Sequence, residues 1–293
     1  MVDAIVLAGT PHSPRHLIQG KPKFFVPLPH GLMGIGVIQV LTQTPSLRDI
    51  YVVGNRSELA KTIPSGQVRK IIEEKGGIYR SALTAFQHIP GSAGADTRVL
   101  ILACDTPFLS SRGLEDFISR SPDADLVMPF CNRKTFESLF PGFRWPYLIY
   151  KEGPLKFGNM ILARPNRIGN RDLLGKFFSL RKLAVSGSRW EEYLTLPRVT
   201  VAALKLRGAE GVEIAAREIY VKYIATPLGI RTRMPRFLSV NRLTSVFSKV
   251  LDCQVEGYQT PCPELCFDID KEETDLRYAL DHYDAIMKKM MSP

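Results

Sequence analysis

The chain of 293 residues is predicted to be an α/β protein in which helices cover both faces of a mostly parallel sheet. Short β-rich runs alternate with longer runs of helical periodicity over the first 130 residues. The run Val99–Ala103 is continuously apolar, as expected of a central strand that is buried on both faces. After residue 250 the same pattern returns, behind a segment of mainly helical periodicity. That segment is therefore predicted to be an insertion.

Predicted strands and helices follow one another in pairs. The strands are Asp3–Leu7, Ile50–Val53, Val68–Ile72, Val99–Ala103, Asp125–Phe130 and Cys266–Asp270. The helices cover 36–41, 57–63 and 81–88, one begins near Ser110, and a final one follows Asp270, its predicted N-cap. Ligands of such sheets gather where parallel strands end, so the residues after Leu7, Ile72 and Ala103 should converge.

The excess of basic residues lies in one segment. The net charge is +10, and residues 164–249 hold 17 Lys and Arg against 6 Asp and Glu, whereas the remainder has 22 against 23. We predict a main domain of residues 1–166 and 251–293 and a basic, mainly helical insertion at 167–250. A local excess of this kind favours an anionic partner, such as a phosphorylated substrate or a lipid headgroup, over nonspecific nucleic-acid binding.

The insertion leaves several interpretations open. Cations and apolar residues are mixed in its second half, where the arginines are Arg231, Arg233, Arg236 and Arg242. Such a mixture can contact an anionic membrane surface or an amphiphilic acceptor. A helical subdomain with solvated arginines, or a homodimer contact, is the alternative.

Composition and cysteine content indicate the cellular compartment. Hydrophobic residues make up 45% of the chain, yet no apolar run approaches the ~18 residues of a membrane-spanning helix. Five cysteines, an odd number, favour a reducing cytoplasm over a disulfide framework. Cys253, Cys262 and Cys266 are close in sequence, but they lack the fourth ligand of a structural zinc site. They are predicted to be small buried apolar residues.

The first candidate motif follows the first predicted strand. Leu7, Ala8, Gly9 and Thr10 open a loop that contains Arg15 and leads to Lys23. A glycine at a strand end lets backbone N–H groups approach a phosphate, and the downstream cations supply charge to it. An ordinary loop with solvated cations would have the same composition.

The second candidate motif is acidic. Asp105 follows the apolar strand Val99–Ala103, where a carboxylate needs a cation or hydrogen-bond donors as partners. Asp268 and Asp270 alternate, so on an extended chain both point to the same side and either can meet Asp105. These residues predict a Mg²⁺ site, since Mg²⁺ is bound through one or two carboxylates plus substrate phosphates. Helix capping by Asp270, with Glu273 completing a capping box, is compatible with that role.

These residues together resemble a known family. Leu7-Ala8-Gly9, Arg15, Pro22-Lys23, Asp105 with Pro107, and Ile269-Asp270 before Asp275-Leu276 are similar to the nucleotidyltransferases of the glycosyltransferase-A-like fold. That group includes molybdenum-cofactor guanylyltransferase-like proteins and sugar-phosphate nucleotidylyltransferases. The resemblance implies a Rossmann-like three-layer sandwich and transfer of a nucleotidyl group from an NTP to a phosphorylated acceptor, with release of pyrophosphate.

The resemblance also assigns roles. It implies that Leu7, Ala8, Gly9 and Thr10 contact the nucleoside triphosphate, that Arg15 and Lys23 neutralise its phosphates, and that Asp105 and Asp270, with Asp268, bind Mg²⁺. It further implies that Gly77 and Ser81 lie at the base and that Gly158 and Asn159 line the acceptor side. The chain departs from the family pattern at Thr10, where a second glycine is usual, and in the insertion.

Two alternatives remain at this stage. A glycosyltransferase of the same fold would use a nucleotide-sugar donor, although such enzymes commonly carry a DxD triplet where this chain has Asp105-Thr106-Pro107. A regulatory protein that binds nucleotide without catalysis would explain the altered loop at Thr10.

Overall fold

The computed structural model describes residues 1–9, 17–144, 147–171 and 239–291. Two compact units are found: the first comprises residues 1–148, 154–167 and 256–293, and the second comprises 149–153 and 168–255. Residues 172–238, most of the predicted insertion, lie outside the described residues. The predicted boundaries of the insertion, and its helical character over residues 172–238, therefore stay predictions.

A mixed sheet forms the centre of the first unit. The strands of the described chain are β1 (Val2–Ala8), β2 (Pro27–Leu28), β3 (Gly31–Leu32), β4 (Leu47–Gly54), β5 (Lys70–Glu73), β6 (Val99–Ala103), β7 (Leu126–Asn132), β8 (Leu148–Tyr150), β9 (Gly153–Phe157), β10 (Met160–Ala163) and β11 (Val255–Gln259). Their order in the unit's sheet is β5-β4-β1-β6-β10-β7-β9, and β11 pairs with β7. Strands β1, β4, β5 and β6 are parallel, whereas β10 runs antiparallel to β6 and β7. The predicted fold class, α/β with a mostly parallel central sheet, is confirmed.

Helices alternate with the strands. They are α1 (Met33–Thr42), α2 (Arg56–Thr62), α3 (Ile78–Phe86), α4 (Ser111–Arg120), α5 (Arg133–Leu139), α6 (Val240–Leu251) and α7 (Arg277–Met291). Side-chain oxygens of Asn55, Ser110 and Asn132 cap α2, α4 and α5, because each accepts from a backbone N–H in the first turn. None of the described helices combines the length and the apolarity that crossing a membrane would require.

The core is built on both faces of the sheet. Ala4 and Val6 of β1 belong to the same buried cluster as Leu41 of α1 and Leu114 of α4. Ile5, which points to the opposite face, is clustered with Phe86 of α3. The alternation along one strand thus buries that strand on both sides, and the side chains that can meet a ligand lie beyond its end.

One predicted strand is wrong. Pro263–Cys266 form a 3-10 turn, and Phe267–Asp270 continue as an extended chain that forms no sheet ladder. Phe267 lies in an aromatic cluster and is fully buried, so its apolar character reflects packing rather than strand pairing. The Ile269 N–H nevertheless donates to the carbonyl of Asp105 at 3.0 Å, which places this segment beside the end of β6.

The predicted cap of the final helix is also wrong. A π-helical turn over Glu272–Leu276 precedes α7, and it begins after Lys271. The carboxylate of Asp275 accepts from the backbone N–H groups of Asp270 and Lys271, each at 2.9 Å. Asp275 thus satisfies the main-chain donors at this end, and the Asp270 side chain points to Lys23 instead.

The second unit contains α6. The side chain of Ser239 caps this helix by accepting from the Arg242 N–H, and Asp252 ends it in the left-handed region with φ 50°. Asn170, which precedes the undescribed segment, contacts the last turn of α6. Its backbone N–H donates to the carbonyl of Leu251 at 3.0 Å. The chain just before the undescribed segment therefore packs against the C-terminal end of α6.

Candidate active site

Main-chain hydrogen bonds bring three segments together at the carboxyl end of β6. The Cys104 N–H donates to the carbonyl of Leu7 at the end of β1, and the Ala103 N–H donates to that of Asn159, just before β10. The bond from Ile269 to Asp105 adds the C-terminal segment. Because β10 is antiparallel to β6, its start meets the end of β6, and residues far apart in sequence share one edge of the sheet.

Three carboxylates occupy this edge. Asp105, Asp268 and Asp270 each offer an oxygen, and these atoms lie within 4.8 Å of one another. Asp105 and Asp268 are buried, at 5% and 8% exposure, whereas Asp270 is exposed. Carboxylates this close repel one another unless cations neutralise them. The cluster therefore needs positive charge, from side chains or from a bound cation.

Lys23 supplies part of that charge. It begins a 3-10 turn after Pro22, and its Nζ lies 2.7 Å from Oδ2 of Asp105 and 2.6 Å from Oδ1 of Asp270. Burial by itself would lower the pKa of Lys23, but the attraction and hydrogen bonds of both carboxylates exceed that effect and raise the pKa above its ordinary value. Lys23 is therefore a permanent cation that joins two of the carboxylates.

A second lysine, Lys156 of β9, forms an ion pair with the third carboxylate, that of Asp268. Its Nζ lies 2.6 Å from Oδ1 of Asp268, and both residues are buried. Burial raises the pKa of Asp268, and the charge of Lys156 opposes that rise. Three residues further on, the side-chain amide of Asn159 donates to Oδ1 of Asp105 at 2.9 Å. One short segment thus orients two of the three aspartates.

The structure brings the predicted metal ligands and Lys23 together, and it adds a residue that the sequence analysis did not find. Lys156 stands between Leu155 and Phe157, where a lysine is equally typical of an exposed edge strand. Its importance comes from its spatial neighbour Asp268, which is 112 residues away in the sequence. No local pattern indicates that contact.

The predicted nucleotide loop is described in part. Leu7 and Ala8 end β1 as predicted, whereas Thr10 and Arg15 lie outside the described residues. A Cβ atom on Gly9 would lie 2.7 Å from Oε2 of Glu74, the residue after β5. The absence of a side chain at Gly9 therefore leaves room for that carboxylate at the end of the strand.

The remaining predicted residues have clear structural contacts. Gly77 has φ 108° at the start of α3, and the buried hydroxyl of Ser81 accepts from the Lys75 N–H at 3.2 Å, which closes the loop. The Gly158 N–H donates to the carbonyl of Pro129, and a Cβ there would lie 2.8 Å from the carbonyl of Leu265. Their roles toward base and acceptor stay predictions.

A divalent cation fits this donor set. Carboxylate oxygens are the ligands that Mg²⁺ and Mn²⁺ prefer, and the three aspartates lie at the point where an α/β sheet binds ligands. The neighbouring Cys104 is not a nucleophile, because burial raises the pKa of its thiol to about 12. The arrangement is suited to binding and neutralising phosphate groups.

Comparisons with known proteins agree with this geometry. A family model described as the MobA-like NTP transferase domain matches residues 4–205. A solved structure of a hypothetical transferase from Thermus thermophilus is similar to the chain with a TM-score of 0.61 and 23% identity, over 93% of this chain and 98% of that one. The 4-diphosphocytidyl-2C-methyl-D-erythritol synthase of Anaerococcus prevotii has a TM-score of 0.50 at 10% identity, over 97% and 96% of the two chains. No curated protein matches the chain.

Proposed function

The chain belongs to the family of MobA-like NTP transferase domains, and from that premise we propose that it transfers a nucleotidyl group from an NTP to a phosphorylated acceptor, with release of pyrophosphate. The observation that carries the proposal is the Lys23 ammonium group between Asp105 and Asp270, at 2.7 and 2.6 Å. A cation and an acidic cluster at the end of the central strands, beside Gly9, are suited to a triphosphate with its metal ion.

The reaction is a displacement at phosphorus. An oxygen of the acceptor phosphate forms a bond to the α-phosphorus of the NTP. The bond from that phosphorus to the oxygen bridging to the β-phosphorus breaks, and pyrophosphate leaves with the electron pair. A phosphate anion is already nucleophilic, so no side chain has to remove a proton from it. The protein contributes positioning and charge neutralisation.

Each described residue has a part in that chemistry. Asp105 and Asp270, in one cluster with Asp268, would hold a divalent cation, for which we propose Mg²⁺, and this ion when bound neutralises phosphate charge. Lys23 carries three N–H donors and binds phosphate oxygens of the NTP and of the departing pyrophosphate. Asn159 keeps Asp105 oriented through its 2.9 Å hydrogen bond.

We also propose that the loops after β1 and before α3 contact the nucleotide. Gly9 gives the triphosphate access to the backbone at the end of β1, and Arg15 adds positive charge from the same loop. Gly77 opens α3 beside the strand ends, where the base of the nucleotide would lie. These assignments rest on the family pattern together with the positions of Gly9 and Gly77 in the fold.

Pyrophosphate release tests the proposal. Each of the four common NTPs is mixed with Mg²⁺ and a panel of sugar, alcohol and cofactor phosphates, and pyrophosphate is measured enzymatically. Asp105→Asn keeps the shape and removes a charge, so it should lower turnover by roughly 10²-fold or more. Asp281→Asn, which changes an exposed aspartate of α7, is the matched control and should leave turnover unchanged.

Other outcomes would contradict the proposal. Near wild-type turnover by Asp105→Asn would remove that carboxylate from the mechanism. Consumption of a nucleotide-sugar without an NTP would favour the glycosyltransferase alternative. Binding of an NTP with no pyrophosphate release from any acceptor would favour a regulatory protein.

A further inference from the structure

The two lysines of the acidic cluster have different surroundings. The side chain of Lys156 is 6% exposed and that of its partner Asp268 is 11% exposed. By contrast, the side chain of Lys23 is 20% exposed, and of its two partners Asp105 is 7% exposed and Asp270 is 55% exposed. A buried charge that loses its partner is costly, so the Lys156–Asp268 pair stays together, whereas the Lys23–Asp270 contact can exchange with ions and substrate from solvent.

The sheet fixes Lys156 in place. It lies in β9 opposite Cys131 of β7, and this cysteine is fully buried. Leu155, its neighbour in the strand, is buried as well. Lys156 therefore approaches Asp268 from a rigid strand on the interior side of the cluster.

Charge counting shows the consequence for the cluster. Its three carboxylates would present three negative charges to a cation, and two ammonium groups reduce that charge. When Lys23 turns to a triphosphate, Lys156 still neutralises Asp268. The charge that remains for a cation is then that of Asp105 and Asp270.

We propose that Lys156 is a positioning residue that acts through Asp268: it holds this carboxylate and cancels its charge, so that a divalent cation is held mainly by Asp105 and Asp270. This inference deepens the proposed function and rests on it. Two carboxylates bind a bare cation weakly. A cation held by only two carboxylates retains coordination positions for substrate phosphates. Lys156 thereby makes the site selective for a cation that arrives with the nucleotide.

The binding of Mn²⁺ alone tests this role without turnover. Free Mn²⁺ is measured by electron paramagnetic resonance while the nucleotide-free, full-length protein is titrated at constant ionic strength. Asp268→Asn should weaken binding by roughly tenfold, because it leaves the ammonium charge of Lys156 uncompensated beside the cation site. The double variant with Lys156→Met has a neutral pair again, and its Kd should return to within about threefold of the unaltered protein.

Weaker binding by Asp268→Asn, with restoration in the double variant, is not expected of a lysine with a purely structural role. Lys61→Met, which removes an exposed lysine of α2, is the control for net charge and should leave the Kd unchanged. Thermal melting shows that each variant is folded.

Three results would overturn the inference. An unchanged Kd in folded Asp268→Asn would mean that the charges of the Lys156–Asp268 pair do not act on the cation site. A double variant that binds as weakly as Asp268→Asn would mean that Asp268 ligates the cation directly. If the unaltered protein binds no Mn²⁺, the inference falls and so does the proposed metal site. Pyrophosphate release by the unaltered protein judges the proposed reaction separately.

Discussion

Lys23 is expected to stabilise the metal-free protein, and Lys23→Met tests this by removing the ammonium group while keeping most of the apolar stem. Breaking a buried ion pair costs about 3–5 kcal/mol. The side chain of Asp270 is 55% exposed and therefore contributes little, and Asp105 retains its hydrogen bond from Asn159. We therefore expect a loss of about 2–3 kcal/mol, or a fall in Tm of roughly 5–10 °C for a unit of this size.

The dependence on pH and on metal identifies the cause. The folded-state pKa of Lys23 is raised, so its contribution is complete below the ordinary lysine value of 10.5 and is lost as the pH rises above it. The difference in Tm between the two proteins should thus be constant from neutral pH to about pH 10. A divalent cation replaces the missing positive charge, so Mg²⁺ or Mn²⁺ should stabilise Lys23→Met more than the unaltered protein.

Differential scanning calorimetry with and without EDTA measures these quantities, and Lys61→Met is the control. Equal Tm values for Lys23→Met and the unaltered protein in EDTA would refute the reasoning, since the two ion pairs would then contribute nothing. Equal stabilisation of both proteins by Mn²⁺ would refute the view that ammonium group and metal ion occupy the same site.

Three further predictions concern other parts of the chain. Gly9→Val should weaken NTP binding at least tenfold by isothermal titration, because a branched side chain after β1 would hinder the approach of the triphosphate to the backbone, and unchanged affinity would exclude this loop. Ser110→Ala removes both a cap and a partner of buried Glu264, so urea unfolding should show a loss of about 1–2 kcal/mol; a loss below 0.5 kcal/mol would contradict it. If the basic insertion contacts membranes, the protein should sediment with acidic vesicles at low salt and not at high salt, and equal binding to neutral vesicles would exclude that electrostatic role.

The fold class and the family could be predicted from the sequence, because both depend on patterns that are local in the chain. Val99–Ala103 is apolar throughout because other parts of the chain pack on both faces of β6. The unbroken apolar run therefore identifies this segment as the central strand from the sequence alone. The resemblance to nucleotidyltransferases, which rested on short motifs at strand ends, is confirmed by the family match. Residues at strand ends are local in sequence, so their positions follow once the strands are known.

Contacts between segments that are far apart in the chain could not be predicted from local sequence patterns. Phe267 and Ile269 are buried by aromatic and main-chain contacts that resemble a strand only in hydropathy. The place of β10 between β6 and β7, and the pairing of Lys156 with Asp268, depend on topology rather than on spacing. Asp270 had two plausible roles, and only the position of Asp275 shows that capping is not one of them.

The assembly of the site from separate segments has a consequence for folding during synthesis. Domains generally begin to fold from the N-terminal side as the chain emerges. Strands β1, β4, β5 and β6 lie within the first 103 residues and Asp105 follows two residues later, so they can pair and place Asp105 without the bond from Ile269. Contacts over such sequence distances form late because the loop between their ends must first close. A ribosome-bound chain that stops before residue 268 therefore lacks two of the three carboxylates, and the proposed cation site is complete only after residue 270 has been added.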